Sequence, residues 1–167
     1  MTARAGFGKA QQSRRSKGGS AAEAAVEACN AACKIAGVAE LWRHATPTRI
    51  VGPGRTSIFS AKATVDYSGI MLDGTGRAVA VEVKRLSTKT LRLPLSRIEP
   101  HQRAHLATVH ASGGVAVVLV VHAARLYAVP WGVVAEHKVS VPGDVVARYA
   151  AGPVYLRAWA RMQAKGA

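Results

Sequence analysis

Asp66, Glu82 and Lys84 are the residues of this chain whose types and spacing could do chemistry. In the segment Arg77-Ala78-Val79-Ala80-Val81-Glu82-Val83-Lys84 the pattern alternates, so Val79, Val81 and Val83 share one face of a strand. Glu82 and Lys84 share the other with Ala78 and Ala80. An acid and a lysine two residues apart on a strand point into the same space. Upstream, Asp73-Gly74-Thr75-Gly76 reads as a turn, which puts Asp66 on or beside the partner strand and within reach of that space. Two carboxylates and a lysine on a small-residue surface make a hard-cation site with a positive group beside it. That is the equipment for metal-assisted cleavage of a phosphodiester.

The elements that must position these groups can be read from periodicity and punctuation. Ser20-Ala21-Ala22-Glu23 fits a capping box opening a helix that runs to about Ala36, with Gly37 as its C-cap. Val38 to Trp42 reads as a connection. Short strands are predicted at Thr48–Val51 and Ile58–Ala63, then at 65–72 and 77–85 on either side of the 73–76 turn. Leu91 to Leu95 alternates around Pro94 and suits an edge strand. Pro100 fits the first position of a helix ending near Ser112, before Gly113-Gly114. Val115–His122 is a buried strand by length and valine content, with Arg125–Val129 as its partner. Weaker helices follow at Trp131–Glu136, Asp144–Ala150 and Leu156–Ala164. The order predicts a single α/β domain over residues 20–167, a mixed central sheet flanked by helices. Residues 1–19, with Arg4, Lys9, Arg14, Arg15 and Lys17 and no acid, read as a flexible basic arm that adds grip on phosphate.

Bulk properties narrow the partner. The chain has 167 residues, 49% of them hydrophobic, and 23 Lys+Arg against 9 Asp+Glu give a formal net charge of +14. Such a field attracts polyanions and makes their binding salt-dependent. No segment is both amphipathic and rich in large apolar residues, and the longest apolar run, Gly113 to Val121, is strand-sized, so a membrane role is not expected. The N-terminus lacks the apolar stretch of a signal peptide, which predicts a cytoplasmic, nucleoid-associated protein. Cys29 and Cys33 stand four apart in the first helix with no second pair, and read as small buried thiols.

Several segments, in order, resemble the RecU-type Holliday junction resolvases of the PD-(D/E)XK nuclease superfamily. Gly19-Ser20-Ala21-Ala22-Glu23 resembles the start of that family's first helix. His44-Ala45-Thr46-Pro47-Thr48-Arg49-Ile50-Val51 resembles its Lys-Pro-Thr-Pro segment and following strand. Thr64-Val65-Asp66-Tyr67-Ser68-Gly69-Ile70 is similar to the segment carrying its first metal-binding aspartate, and Glu82-Val83-Lys84 matches its E-x-K element. Leu93-Pro94-Leu95 and Pro100-His101-Gln102 resemble its Phe-Pro-Leu and His-Gln signals. The likeness covers roughly residues 17 to 130. The segment between Val51 and Thr64 is shorter than the stalk with which such proteins engage the junction centre, and the 66–82 hairpin is slightly longer.

The resemblance implies a restriction-endonuclease-like fold, branched DNA as partner and a homodimer with paired symmetric nicks. Asp66 and Glu82 would hold Mg²⁺, with Mn²⁺ as an alternative, helped by the Val83 carbonyl. Lys84 would orient or deprotonate the attacking water or stabilise the oxyanion, Gln102 would complete the site, and Glu23 would be either a helix cap or a first-helix acid near the metal. His101 would cap or pack at its helix start. Thr64, two residues before Asp66, would share its strand face and touch the site. Arg85, Lys89, Arg92, Arg97 and Arg103, with Arg14, Arg15 and Lys17 of the arm, would contact phosphates, which position a duplex without reading it. Two rivals remain open: another PD-(D/E)XK nuclease of flap, restriction-like or general DNase type, and a non-catalytic basic DNA-binding protein.

Overall fold

The structure is a computed structural model that describes residues 7–44, 48–51, 56–59, 64–86, 89–157 and 159, with side chains from residue 21 onward except at 48–51 and 56–59. Its elements run α1 (Phe7–Ile35), β1 (Ala39–Arg43), β2 (Thr48–Val51), β3 (Thr56–Phe59), β4 (Tyr67–Met71), β5 (Ala78–Arg85) and β6 (Leu93–Pro94). A 3-10 turn (Leu95–Arg97) leads to α2 (Pro100–Ala111), β7 (Val115–His122), β8 (Arg125–Pro130), α3 (Trp131–Ala135), β9 (Ser140–Val141), α4 (Gly143–Ala147) and β10 (Ala150–Ala151). The main sheet has six strands in the order β1-β4-β5-β7-β8-β10. Only β5 and β7 are parallel, joined by the crossover that contains α2; the other neighbours are antiparallel. This is the mixed, helix-flanked α/β architecture expected from the sequence.

Alternation on β5 divides the core into two. Val79 and Val81 pack with Val26, Cys29 and Cys33 of α1 on one face, whereas Ala80 packs with Leu106 of α2 on the other. β7 lies between both layers, and Val115 to Val120 are wholly inaccessible, which explains its unbroken apolar run. Each buried valine is worth roughly 1.5 kcal/mol or more. Both long helices end as the sequence predicts. Gly37 (φ +64°) and Gly113 (φ +77°) take the left-handed conformation, and Val38 N–H to Cys33 O (2.9 Å) and Gly114 N–H to Val109 O (2.9 Å) close the last turns. Gly69 is required for a different reason. A Cβ there would stand 1.9 Å from the Glu40 carbonyl oxygen, so only glycine lets β1 cross β4 at this distance.

Four expectations are corrected. α1 begins at Phe7 and not at Ser20, so residues 7–19 are helical; Ala, Gln, Arg and Lys favour helix strongly enough to carry it past Gly18-Gly19. Position 20 is therefore inside α1 and not at its N-terminus, so the capping box expected at Ser20–Glu23 has no helix start to serve. Val38 to Trp42 is not a mere connection, because Ala39–Arg43 forms edge strand β1 on β4. Thr64 and Asp66 lie in the bend before β4, so Thr64 is exposed and shares no strand face with Asp66. The 58–63 strand is seen as β3 at Thr56–Phe59, paired with β2; residues 60–63 lie outside the described set, as do 160–164 of the predicted last helix. Among the described residues no helix is long and apolar enough to cross a membrane.

Candidate active site

β4 stops just short of the candidate residues. Its last ladder pair with β5 is Tyr67 with Val81, one residue short of both Asp66 and Glu82, while β7 accompanies β5 on its other side as far as Arg85. On the β4 side the Asp66 side chain takes the place of a ladder partner, its Oδ2 accepting the Val83 N–H at 2.7 Å. The N–H and C=O of one strand residue project to the same side, so the Val83 carbonyl is also turned towards Asp66. Asp66 is itself held from behind, since its backbone carbonyl accepts the His44 N–H at 2.9 Å.

Glu82 and Lys84 project to the α2 face, as their spacing demands. Glu82 is 1% exposed. Lys84 Nζ donates to Glu82 Oε1 at 2.5 Å and to Gln102 Oε1 at 3.2 Å. The same Gln102 oxygen accepts the Glu99 backbone N–H at 2.9 Å, completing a capping box in which Glu99 is N-cap and Gln102 is N3. Both neighbours of that oxygen are donors, so the orientation of the amide is fixed by its network. A local device that starts α2 thus also anchors the lysine. His101 sits at the same helix start, its Nδ1 3.5 Å from Glu99 Oε2.

Burial pushes the Glu82 carboxyl up to about 7, opposed by the hydrogen bond from Lys84 and reinforced by the nearby charge of Asp66. Its Oε2 is buried and has no hydrogen-bond partner. An orphaned carboxylate oxygen beside a second carboxylate is what a hard cation satisfies, and two carboxylates with one carbonyl suit Mg²⁺, which keeps waters and substrate oxygens as its other ligands. The residues present therefore fit a divalent metal, although among the described residues no group of three or more His, Cys, Asp or Glu side chains gathers to hold one.

The opposite, α1 face of β5 borders a cavity of about 220 Å³ lined by Glu23, Val26, Arg43, Asp66, Tyr67 and Arg85, among others. Glu23 reaches this cavity but not the Glu82–Lys84 pair; its Oε2 stands 3.6 Å from the Arg43 guanidinium. Of the expected phosphate contacts, Arg85, Lys89, Arg92 and Arg97 are exposed, and Arg97 donates to the Arg85 carbonyl at 2.7 Å. Arg103 is turned to the protein itself, donating to Leu95 O at 2.6 Å and Ile98 O at 2.7 Å, where it ties the 3-10 turn to α2. The side chains of Arg14, Arg15 and Lys17 lie outside the described set.

Sequence reasoning missed Glu27, Arg43, His44, Tyr67 and Ser68. Tyr67 Oη donates to Glu27 Oε1 at 2.8 Å, and His44 Nε2 meets Ser68 Oγ at 2.6 Å. Desolvation and the Glu27 carboxylate hold the Tyr67 hydroxyl protonated far above its usual range. The contacts of Arg43 and His44 depend on β1 lying along β4, and the sole hint of that strand was Leu41 between Glu40 and Trp42 in a stretch too short to read as a strand.

The family model of RecU, Recombination protein U, matches residues 17–140, a span that contains Asp66, Glu82, Lys84 and Gln102. The Holliday junction resolvase RecU of Lactococcus lactis subsp. lactis (strain IL1403) is 34% identical over 113 residues, 62% of this chain and 51% of that protein. The Holliday junction resolvase RecU of Streptococcus equi subsp. zooepidemicus (strain MGCS10565) is 33% identical over 106 residues, 58% and 50% of the two chains. The chain thus spans about half the length of the curated relatives it matches. Among solved structures, the Archaeoglobus fulgidus Hjc, a Holliday junction resolvase, superposes with a TM-score of 0.46 at 20% identity, covering 72% of this chain and 88% of that one. By the extent of the family match, the chain belongs to the RecU family.

Proposed function

We propose that this protein is a structure-specific endonuclease that resolves four-way DNA junctions by metal-dependent hydrolysis, acting as a homodimer that places paired symmetric nicks. The observation that carries the reading is the buried Glu82–Lys84–Gln102 network meeting Asp66 at the point where β4 ends. Burial of an acid at 1% exposure with one oxygen unsatisfied is costly unless a ligand completes it. The family relationship supports a junction as the substrate, and a two-fold axis relating two such sites would give paired cuts.

Bound Mg²⁺, or Mn²⁺, would supply Lewis acidity and a water of lowered pKa, with Asp66, Glu82 and the Val83 carbonyl as its protein ligands. The remaining work falls to the chain. The Val83 N–H fixes the Asp66 carboxylate in one orientation, so that ligand is organised before substrate arrives. Lys84, held by acceptors on two elements, presents its ammonium at a defined position where it can orient the nucleophile or stabilise charge developing on the phosphorus oxygens. Gln102 keeps Lys84 from collapsing wholly onto Glu82. Exposed Arg85, Lys89, Arg92 and Arg97 would hold phosphates on either side, positioning the DNA without reading its bases.

The test is a gel assay on an immobile, end-labelled four-way junction with Mg²⁺, with EDTA, and with Asp66→Asn, alongside linear duplex. Paired nicks in the junction with Mg²⁺ alone are expected. Equal cutting of linear duplex would leave the nuclease and remove the resolvase; binding without cleavage under any metal would remove the enzyme and leave a DNA-binding protein.

A further inference from the structure

The α1 side of the cavity holds a set of charges, Glu23, Glu27 and Arg43, that stand apart from the Glu82–Lys84–Gln102 network. Arg43 ends β1 directly opposite Tyr67 on β4, and both face α1. The guanidinium lies 3.6 Å from Glu23 Oε2 and 3.8 Å from Glu27 Oε1, while the Tyr67 hydroxyl donates to that same Glu27 oxygen at 2.8 Å. Tyr67 is 4% exposed and cannot wander. Through its hydrogen bond it fixes Glu27, and Glu27 in turn biases Arg43 towards the cavity. The ion pairs themselves are long and about half exposed, 54% for Arg43 against 61% for Glu23 and 46% for Glu27. Such long, solvated pairs are weak, so an incoming anion replaces them at little cost. Arg85 and Asp66 line the same cavity, and the sheet order β1-β4-β5 sets the strand entered from Asp66 between those that carry the two arginines.

The cavity wall carries the Arg43 and Arg85 guanidinium groups beside the Glu23 and Asp66 carboxylates. A phosphodiester suits the guanidinium side of it, because its two non-bridging oxygens match the fork of an arginine. Lys84 is on the far face of β5, so the phosphate gripped here is not the one that Lys84 attends. We propose that Arg43, together with Arg85, grips a DNA phosphate adjacent to the scissile one, and that Glu27 and Tyr67 are positioning residues that keep Arg43 turned into the cavity. The grip rests on the nuclease reading and adds to it a residue outside the metal site.

The test is a binding measurement in EDTA, using four-way junctions that carry a single neutral methylphosphonate at each phosphate flanking the cut in turn. Wild-type protein is expected to lose roughly tenfold in affinity at one flanking position, and Arg43→Ala to be indifferent to the neutral linkage there. Arg43→Ala should also lower the slope of log affinity against log salt by about one phosphate contact. Tyr67→Phe should reproduce part of the Arg43→Ala loss and add nothing to it in the double variant. If every methylphosphonate penalty survives in Arg43→Ala, the grip is refuted. If Tyr67→Phe weakens the Arg43→Ala protein as much as it weakens the wild type, the positioning role is refuted. Because affinity is read without metal, failure to cut a junction would sink the nuclease reading alone, whereas an unchanged methylphosphonate profile would sink the grip alone.

Discussion

The two faces of β5 carry charge in opposite ways. Towards α2, Glu82, Lys84 and Gln102 are buried or nearly so and bonded at 2.5–3.2 Å. Towards α1, Glu23, Glu27 and Arg43 are about half exposed and meet at 3.6–3.8 Å. Desolvating a charged pair is offset only by close geometry, so the α2 face is confined to one arrangement. The α1 face keeps its water and can rearrange cheaply. On the proposed function, the contrast is that between a part that would hold atoms still while a bond breaks and a part that would accept DNA of variable shape.

Removing the acid proposed to hold the metal tests the contrast most severely. Asp66→Asn is expected to lower single-turnover cleavage of a junction roughly 10³-fold while junction affinity stays within a few-fold. Equal losses in both would mean that gripping and cutting are not separated.

A second effect is large but appears in stability. The Glu82 carboxyl titrates near 7 in the folded protein against 4.5 ordinarily, so between those values the folded state holds a proton that the unfolded state has released. The wild type therefore loses stability as pH rises through that window. Glu82→Gln, which removes the charge but not the acceptor for Lys84, is expected to be more stable than wild type at pH 8 in EDTA by up to a few kcal/mol, with the gain gone by pH 5. Urea unfolding at the two pH values measures it, and a gain independent of pH would show that Glu82 is not strained by its charge.

Smaller still is Glu99→Ala. Loss of the α2 cap should cost about 1 kcal/mol, with a few-fold fall in cleavage as the Gln102 anchor of Lys84 loosens, and Glu99→Asn should recover both. Last comes Glu23→Gln. Here cleavage at saturating enzyme is expected to be unchanged and affinity to shift by less than about fivefold, in keeping with an exposed pair. A loss as deep as that of Asp66→Asn would make Glu23 a metal ligand and join the two faces into one site.

What could be read in advance follows the same division. The face of β5 that bears Glu82 and Lys84 was legible because a strand has a strict period of two, and α2 because Pro100 and Gly113 bracket it. Asp66 was legible through the 73–76 turn, which fixes its partner strand; there Asp73 accepts from the Thr75 N–H at 3.0 Å and pairs with Arg77 at 3.1 Å. The α1 face was not legible. Its members come from residues 23–27, 43 and 67, and no local pattern announces that β1, five residues long and on an edge, would bring them together. The N-terminal extent of α1 was missed because charge was weighed over helix propensity. β9 and β10 have two residues each, too few for any period to show.

One bond described above has a mechanical meaning. The chain leaves the main sheet after His44 and comes back at Thr64, having formed the separate β2–β3 hairpin on the way, and the His44 N–H to Asp66 carbonyl bond clasps the root of that excursion. Asp66 is thus tied twice, by its backbone carbonyl to His44 and by its carboxylate to the Val83 N–H, so one residue fastens the root of the excursion to the strand that bears Glu82 and Lys84.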